Sequence, residues 1–441
     1  MGVHVVSKLD NRQHASFNVE AAAPGELADS SVRIRTTLIS LTSNNLTYAL
    51  MGGFLRWWDA YPVSENYPAP YNDPSAWGIV PAWGYATVEE STIPELAQGT
   101  LLWGFWPTTS TATDLKLQRG TPEGHWIETS DHRQNLMPLY NRYTVTPTST
   151  PISALTSEPK PRSDAARDEL DRMAWTALFL GGVAGFVLSD YVFSSSTDTK
   201  PIHPLGDGAG LQWTLADGDL SSAVVVNLAA STKTARVFSY YVSRKPGASA
   251  PLGLFQVTSS VSRIAEADRN LATSVPSKAV GYGDIGSEES AEWLVSRKPE
   301  KIVIVDFGGR GNALDDVLSM IKGRLELEAC KVVIVQVGNE QKVYSTEELL
   351  AGRAAMAKLG KVQYNTSSVQ DTILESKDVA AYFAIRDAEW KKWLDDRHLS
   401  VPGMQISFGH GVSGDDGVEG GWEKLCNGQV GPEEGLVYKM Q

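Results

Sequence analysis

The 441-residue chain is 42% hydrophobic and 21% charged, the proportions of a globular protein with room for two or three domains. Its formal net charge of −13 offers no field that would draw a nucleic-acid backbone or an anionic membrane surface, so neither partner is expected. An anionic small molecule stays open, because local amides and cations outweigh carboxylates beyond a Debye length of about 8 Å.

Two cysteines, Cys330 and Cys426, are too few for a disulfide framework and suit a reducing compartment. Met1–Asp10 has no apolar core for a secretory signal, and Tyr438-Lys439-Met440-Gln441 is no sorting address. A cytoplasmic location is therefore expected.

In chain order, the first 150 residues read as β-rich. Ser31–Leu41 alternates apolar and polar residues, the period of a half-buried strand. Ile79–Ser91 and Gly99–Pro107 are two more strands punctuated by Pro and Gly. Short strands of this kind suit a small barrel. Residues 50–110 also crowd aromatics, among them Trp57, Trp58, Tyr61, Trp83, Tyr85, Trp103, Phe105 and Trp106. That crowding fits either a wide apolar cleft or a barrel packed with large side chains.

Pro147–Ser163 has linker composition. A helical period begins at Ala165 and enters the apolar stretch Trp175–Val192, which carries Gly181, Gly182, Gly185 and Asp190 and reads as a buried helix rather than a membrane span. Residues 220–380 then alternate strand and helix. Ala223–Leu228, Leu254–Thr258, Ala279–Tyr282, Lys301–Phe307 and Lys331–Gly338 are the five strand signals. Such alternation implies a parallel sheet with right-handed crossovers. Asp387–Arg397 is an amphipathic helix, Gly409–Gly421 a Gly/Asp-rich loop, and Gly435–Met440 a closing strand.

A dinucleotide pyrophosphate needs a tight turn after a strand, a close backbone approach and the N–H groups of a helix start. The turn after Ala223–Leu228 is Ala229-Ala230-Ser231-Thr232-Lys233-Thr234, without glycine. Small Ala229 and Ala230 permit approach, Ser231, Thr232 and Thr234 offer hydroxyls, and Lys233 a cation. An ordinary Ser/Thr helix cap explains the same residues. After the second strand stand Ser259, Ser260 and Arg263, where an Asp or Glu would select NAD. That set suits a 2′-phosphate and hence NADPH, or else merely caps a helix. Asp306-Phe307-Gly308-Gly309 ends the fourth strand, so Asp306 and Gly308 are candidate cofactor contacts; the alternative is a plain turn.

A β-rich first part, a long helix, a strand–helix series and a returning strand together resemble the medium-chain dehydrogenase/reductase superfamily. Val32–Gly53, Gly104-Phe105-Trp106-Pro107 and Asp306–Gly338 carry the likeness. Ser231-Thr232-Lys233-Thr234-Ala235, His132-Arg133 and Tyr140-Asn141-Arg142-Tyr143 resemble more closely a fungal and bacterial family known only as a domain of unknown function. The resemblance implies an α/β protein: a GroES-like β-rich barrel domain, 1–165 completed by 385–441, plus a Rossmann-type doubly wound parallel sheet domain, 166–384.

Zinc-dependent relatives need Cys, His and Glu ligands. Here Pro81-Ala82-Trp83-Gly84-Tyr85 stands where Gly-His-Glu would fall, so no metal is expected. The implied activity is a metal-free NADPH-dependent reductase of a carbonyl or activated alkene, with polyketide-type secondary metabolism as a setting. Its substrate would be a small apolar or aromatic molecule. Tyr140, Tyr143 and Tyr85 are the candidate proton donors, with His132 or Arg133 tuning a phenol. The alternatives are a cyclase, isomerase or lyase that has lost the cofactor site, or an accessory protein with a relic fold. A monomer or homodimer is expected.

Overall fold

The computed structural model describes residues 1–20, 25–150, 163–194, 200–340, 342–344, 348 and 359–440. Most of the Pro/Ser/Thr-rich linker, 151–162, lies outside them. Chain contacts divide the protein into two units.

The first unit comprises Met1–Gly181, Gln341–Tyr344 and Gln405–Gln441. Its main sheet closes on itself. Ser31–Leu41 pairs with Ala82–Ser91, then come Leu101–Trp106, Arg142–Val145, His125–Glu128 and Thr113–Arg119, and the last pairs back with Ser31–Leu41. The returning strand Glu434–Lys439 adds to the other side of Ser31–Leu41, followed by Gln405–His410 in parallel. The stretch 409–421, expected to be a loop, thus begins in a strand and ends in the helix Val418–Cys426. Trp422, on that helix, is buried and donates from Nε1 to the Asn11 carbonyl at 2.9 Å. The aromatic crowd fills this unit: Trp57, Trp58, Tyr61, Trp83, Phe105, Trp106, Tyr140 and Tyr143 share one core. Gly104 shows how tight the packing is. A Cβ there would meet the Tyr143 ring at 2.2 Å.

The expected single helix Trp175–Val192 is broken. Asp164–Phe179 is helical, and Leu180, Gly181 and Gly182 then adopt φ of 53°, 60° and 67°. Three successive left-handed residues cannot continue a right-handed helix. The stretch is apolar and long enough to cross a membrane by composition, yet two-thirds of its apolar window (67%) is buried in the protein. The units part at this break, Gly181/Gly182, instead of at residue 165, and the helix Asp164–Phe179 packs on the barrel: the Ser40 hydroxyl donates to the Ala177 carbonyl at 2.7 Å.

The second unit comprises Gly182–Glu340 and Ser345–Met404. The helix Val379–Asp395 belongs to it, so the boundary near residue 385 shifts to 404. Its sheet has six parallel strands in the order Ser277–Val280, Gly253–Val257, Ala223–Leu228, Lys301–Phe307, Lys331–Gly338, Val362–Gln363. The three most central are buried along their whole length, and two of them, Ala223–Leu228 and Lys301–Phe307, are β-branched runs, as suits strands covered on both faces. The two-residue sixth strand is too short for periodicity to reveal. In chain order the sheet reads 3-2-1-4-5-6, the doubly wound arrangement whose switch point lies between the first and fourth strands.

Candidate nucleotide-binding site

The switch point places the ends of Ala223–Leu228 and Lys301–Phe307 side by side, with Leu228 opposite Asp306. In open α/β sheets, ligands bind beyond this carboxyl edge. The turn after Leu228 is made without glycine by forcing Ala229 to φ 58°. Ala230 N–H donates to the Val257 carbonyl at 2.9 Å and Thr232 N–H to the Ala229 carbonyl at 3.0 Å. The chain then enters the helix Lys233–Ser243 with Thr232 as N-cap. That cap makes no side-chain hydrogen bond, and there is no acidic residue in the first turn. Its hydroxyl oxygen is buried without a partner among the described residues. Ser231, Thr232, Lys233 and Thr234 are all half-buried at this helix start, so the expected residues do gather around one helix terminus.

At the second strand the expected group divides. Thr258 is buried, and its hydroxyl accepts from Ser260 N–H at 3.0 Å, which shapes the turn. Ser259 and Arg263 are exposed and Ser260 is half-buried at the start of the helix Val261–Leu271. No carboxylate occupies the positions from Ser259 to Arg263.

The loop after the fourth strand departs from expectation. Asp306 turns inward: its Oδ1 accepts from Gly308 N–H at 3.1 Å and Gly309 N–H at 2.8 Å, and Lys361 Nζ stands 3.7 Å from Oδ2. The two amides expected to face a ligand are spent on this carboxylate. Gly308, at φ 112°, is required by the turn itself, because a Cβ would meet the Asn339 carbonyl oxygen at 2.4 Å. Through these bonds Asp306 and Gly308 shape the sheet edge.

The tyrosines expected to donate a proton are internal to the barrel unit. Tyr143 is fully buried, with its hydroxyl 3.1 Å from both the Tyr61 hydroxyl and the Phe105 carbonyl. Tyr140 and Tyr85 are 9% and 4% exposed. Burial holds all three phenols above their ordinary pKa. His132 is exposed, one residue from the fully buried Arg133. Arg133 donates to Asn141 Oδ1 at 3.0 Å and to the Tyr140 carbonyl at 2.8 Å, faces Glu128 at 3.5 Å, and lies 5.1 Å and 5.7 Å from the Tyr61 and Tyr143 ring centres. The His-Arg and Tyr-Asn-x-Tyr motifs are thus two sides of one buried staple.

Sequence reasoning passed over Arg236. It lies on the helix Lys233–Ser243, every residue of which from Ala235 onward is buried. Ser239 Oγ donates to Gln256 Oε1 at 3.1 Å, and Gln256 Nε2 donates to both Asp268 oxygens at 2.9 Å. The spacing of Arg236, Ser239 and Ser243 on one face of an otherwise apolar helix is the signal that could have found this network.

The sequence profile of DUF2855, described as a protein of unknown function, matches residues 39–431. The chain belongs to that family. No curated protein matches this DUF2855 member significantly. Among solved structures it is similar to CurA from Vibrio vulnificus in complex with NADPH, with 10% identity, a TM-score of 0.52 and coverage of 100% of this chain and 99% of that one. It is also similar to a mutant enoyl thioester reductase from Candida tropicalis, at 8% identity, TM-score 0.51 and 99% of each chain. A third is the Etr1p complex with NADP and crotonyl-CoA, at 10% identity, TM-score 0.51 and 99% of each chain. At these identities the likeness establishes the fold: this DUF2855 protein has a medium-chain-reductase-like architecture, a GroES-like barrel unit and a Rossmann-like unit.

Proposed function

We propose that this protein is a metal-free, NADPH-dependent reductase of an activated alkene or carbonyl. The observation that carries the reading is the start of the helix Lys233–Ser243, which has no side-chain cap and no acidic residue in its first turn and is set at the switch point of a 3-2-1-4-5-6 sheet. Such a helix start favours the pyrophosphate through its dipole and its amides. Ala229 and Ala230 keep the approach narrow but open, and the unpartnered Thr232 hydroxyl is a donor waiting for an acceptor. Arg263 with Ser259 and Ser260 receives the 2′-phosphate. When bound, the dinucleotide supplies the hydride.

The similar structures solved with NADPH, and with NADP and crotonyl-CoA, support an activated alkene over an isolated carbonyl. Among the described residues no group of three His, Cys, Asp or Glu side chains is placed to hold a metal. Because Tyr140, Tyr143 and Tyr85 are engaged inside the barrel unit, the proton comes from solvent.

Titration with NADPH, followed by melting temperature, tests the reading. Binding adds RT ln(1 + [L]/Kd), about 2.7 kcal/mol at a hundredfold excess. A shift with NADPH together with NADPH consumption in the presence of an enoyl thioester is the expected result. No shift at millimolar NADPH removes the proposal.

A further inference from the structure

The end of the second Rossmann strand is bordered by a segment from outside the strand–helix repeat. The short helix Arg397–Ser400 and the turn after it lie against the starts of the helices Lys233–Ser243 and Val261–Leu271. Arg236, 2% exposed, holds this segment down. Its Nε and Nη2 donate to the Ser400 carbonyl at 3.2 Å and 3.0 Å, and its Nη1 donates to Gln256 Oε1 at 3.1 Å. A buried guanidinium anchored on three sides by a carbonyl and a bridging amide gives the segment one position.

Three residues beyond Ser400, Gly403 adopts φ +74° beneath Arg263. A Cβ on Gly403 would lie 2.6, 2.8 and 2.9 Å from Cζ, Nη1 and Nη2 of Arg263. Three nearly equal distances mean that the guanidinium lies flat on the glycine. Its edge points to Glu266, whose Oε2 accepts from Nη1 at 3.2 Å, and the two side chains are 48% and 40% exposed. Arg263 is therefore seated on one face by a glycine and held at one edge by a carboxylate three residues along its own helix.

We propose that Gly403 and Glu266 are positioning residues that set the preference for NADPH over NADH. Gly403 seats the Arg263 guanidinium at the strand end, and Glu266 occupies its donors until the 2′-phosphate takes them. A solvent-exposed Arg–Glu pair is weak, whereas a phosphate offers the same fork shorter, charge-assisted hydrogen bonds. The exchange favours the phosphate, and NADH has none to offer. The inference rests on the NADPH reading above.

The test is a set of Kd values for NADPH and NADH with the full-length protein, its Arg263→Ala, Gly403→Ala and Glu266→Gln variants, each checked by melting temperature. Arg263→Ala should reduce the Kd ratio of NADH to NADPH by about tenfold or more. Gly403→Ala, which pushes the guanidinium off its seat, should reduce it roughly threefold to tenfold and leave NADH affinity unchanged. Glu266→Gln should tighten NADPH roughly twofold to fivefold without changing NADH. If the wild type binds neither dinucleotide, or binds both equally, the proposal falls with or without the wider reading. If the wild type prefers NADPH and Arg263→Ala loses that preference, while Gly403→Ala and Glu266→Gln keep the wild-type ratio, the positioning role is wrong and the cofactor reading stands. Should Gly403→Ala fail to fold, Glu266→Gln decides alone, since its side chain is partly solvated and its loss disturbs no core.

Discussion

In the barrel unit the polar side chains face one another, while in the Rossmann-like unit a row of them stops at the edge of a sheet. Arg133, Glu128, Asn141, Tyr61 and Tyr143 form one buried network inside the barrel: the Arg133 and Glu128 side chains are both 0% exposed, Asn141 Nδ2 donates back to the Arg133 carbonyl at 3.0 Å, and Arg133 Nη1 is left without a partner among the described residues. At the switch point the unpartnered atom, the Thr232 hydroxyl, stands instead at the start of a helix that has no side-chain cap. A buried cluster whose members bond mostly to one another holds a fold together. A cluster that leaves donors at a helix start is built to receive something else.

The largest effect should follow from breaking the buried network of the barrel. Arg133→Met leaves Glu128 buried without its cation, and breaking such a pair costs about 3–5 kcal/mol. Urea unfolding should show the midpoint drop without any change in the relative affinity for NADPH and NADH. A loss below about 1 kcal/mol would mean that water reaches Glu128, and that the barrel interior is not closed.

The next effect comes from pH. His4, fully buried beside His14 and Trp422, has its pKa pushed down to about 3, chiefly by burial and then by the neighbouring His14. The unfolded chain takes up this proton near pH 6.5 and the folded chain does not. Stability is therefore whole above pH 6.5 and falls as pH drops toward 3, by up to about 1.4 kcal/mol per pH unit. Unfolding at pH 7 and pH 5 should differ by about 2 kcal/mol from this group, and His4→Gln should flatten that interval. An unchanged slope in the variant would show that His4 is protonated in the folded protein.

Tyr143→Phe separates the two regions most directly. Its hydroxyl bonds to Tyr61 and to the Phe105 carbonyl, so removal should cost about 1–2 kcal/mol of stability. Reductase turnover should stay within about twofold, because general acid catalysis by a side chain would contribute about a hundredfold or more. A hundredfold loss of kcat with normal stability would return the proton-donor role to Tyr143.

The fold was readable because it rests on repetition: alternation in Ser31–Leu41 and β-branched runs in Ala223–Leu228 and Lys301–Phe307 are dictated by which faces are buried. The break at Leu180–Gly182 was visible as two adjacent glycines, but apolar composition outweighed them. The site was only partly readable. Ser231–Thr234 marks a helix start by local rules. Asp306 folds back onto the Gly308 and Gly309 amides of its own loop, and Lys361, 55 residues away in sequence, stands 3.7 Å from its other oxygen. Tyr140 and Tyr143 carry reactive groups wherever they sit, and only their burial, with the Tyr143 hydroxyl on Tyr61 and on the Phe105 carbonyl, shows that they are enclosed. Nothing in Gly403 distinguishes it from other loop glycines until Arg263 is found lying on it.

The smallest expected effect tests the turn on which the cofactor reading depends. Ala229 sits at φ 58°, a conformation that costs an L-residue with a Cβ about 1–2 kcal/mol. Glycine removes that cost but adds about 0.5–1 kcal/mol of chain entropy in the unfolded state. Ala229→Gly should therefore raise stability slightly, by a few tenths to about 1 kcal/mol, and leave NADPH affinity within about twofold, since the backbone path is unchanged. If the variant is instead less stable, the buried Ala229 methyl (6% exposed) contributes more by packing than it costs in strain. If it binds NADPH much more tightly, the methyl was narrowing the approach to the helix start, and the glycine-free turn limits affinity where the barrel's buried cluster limits only stability.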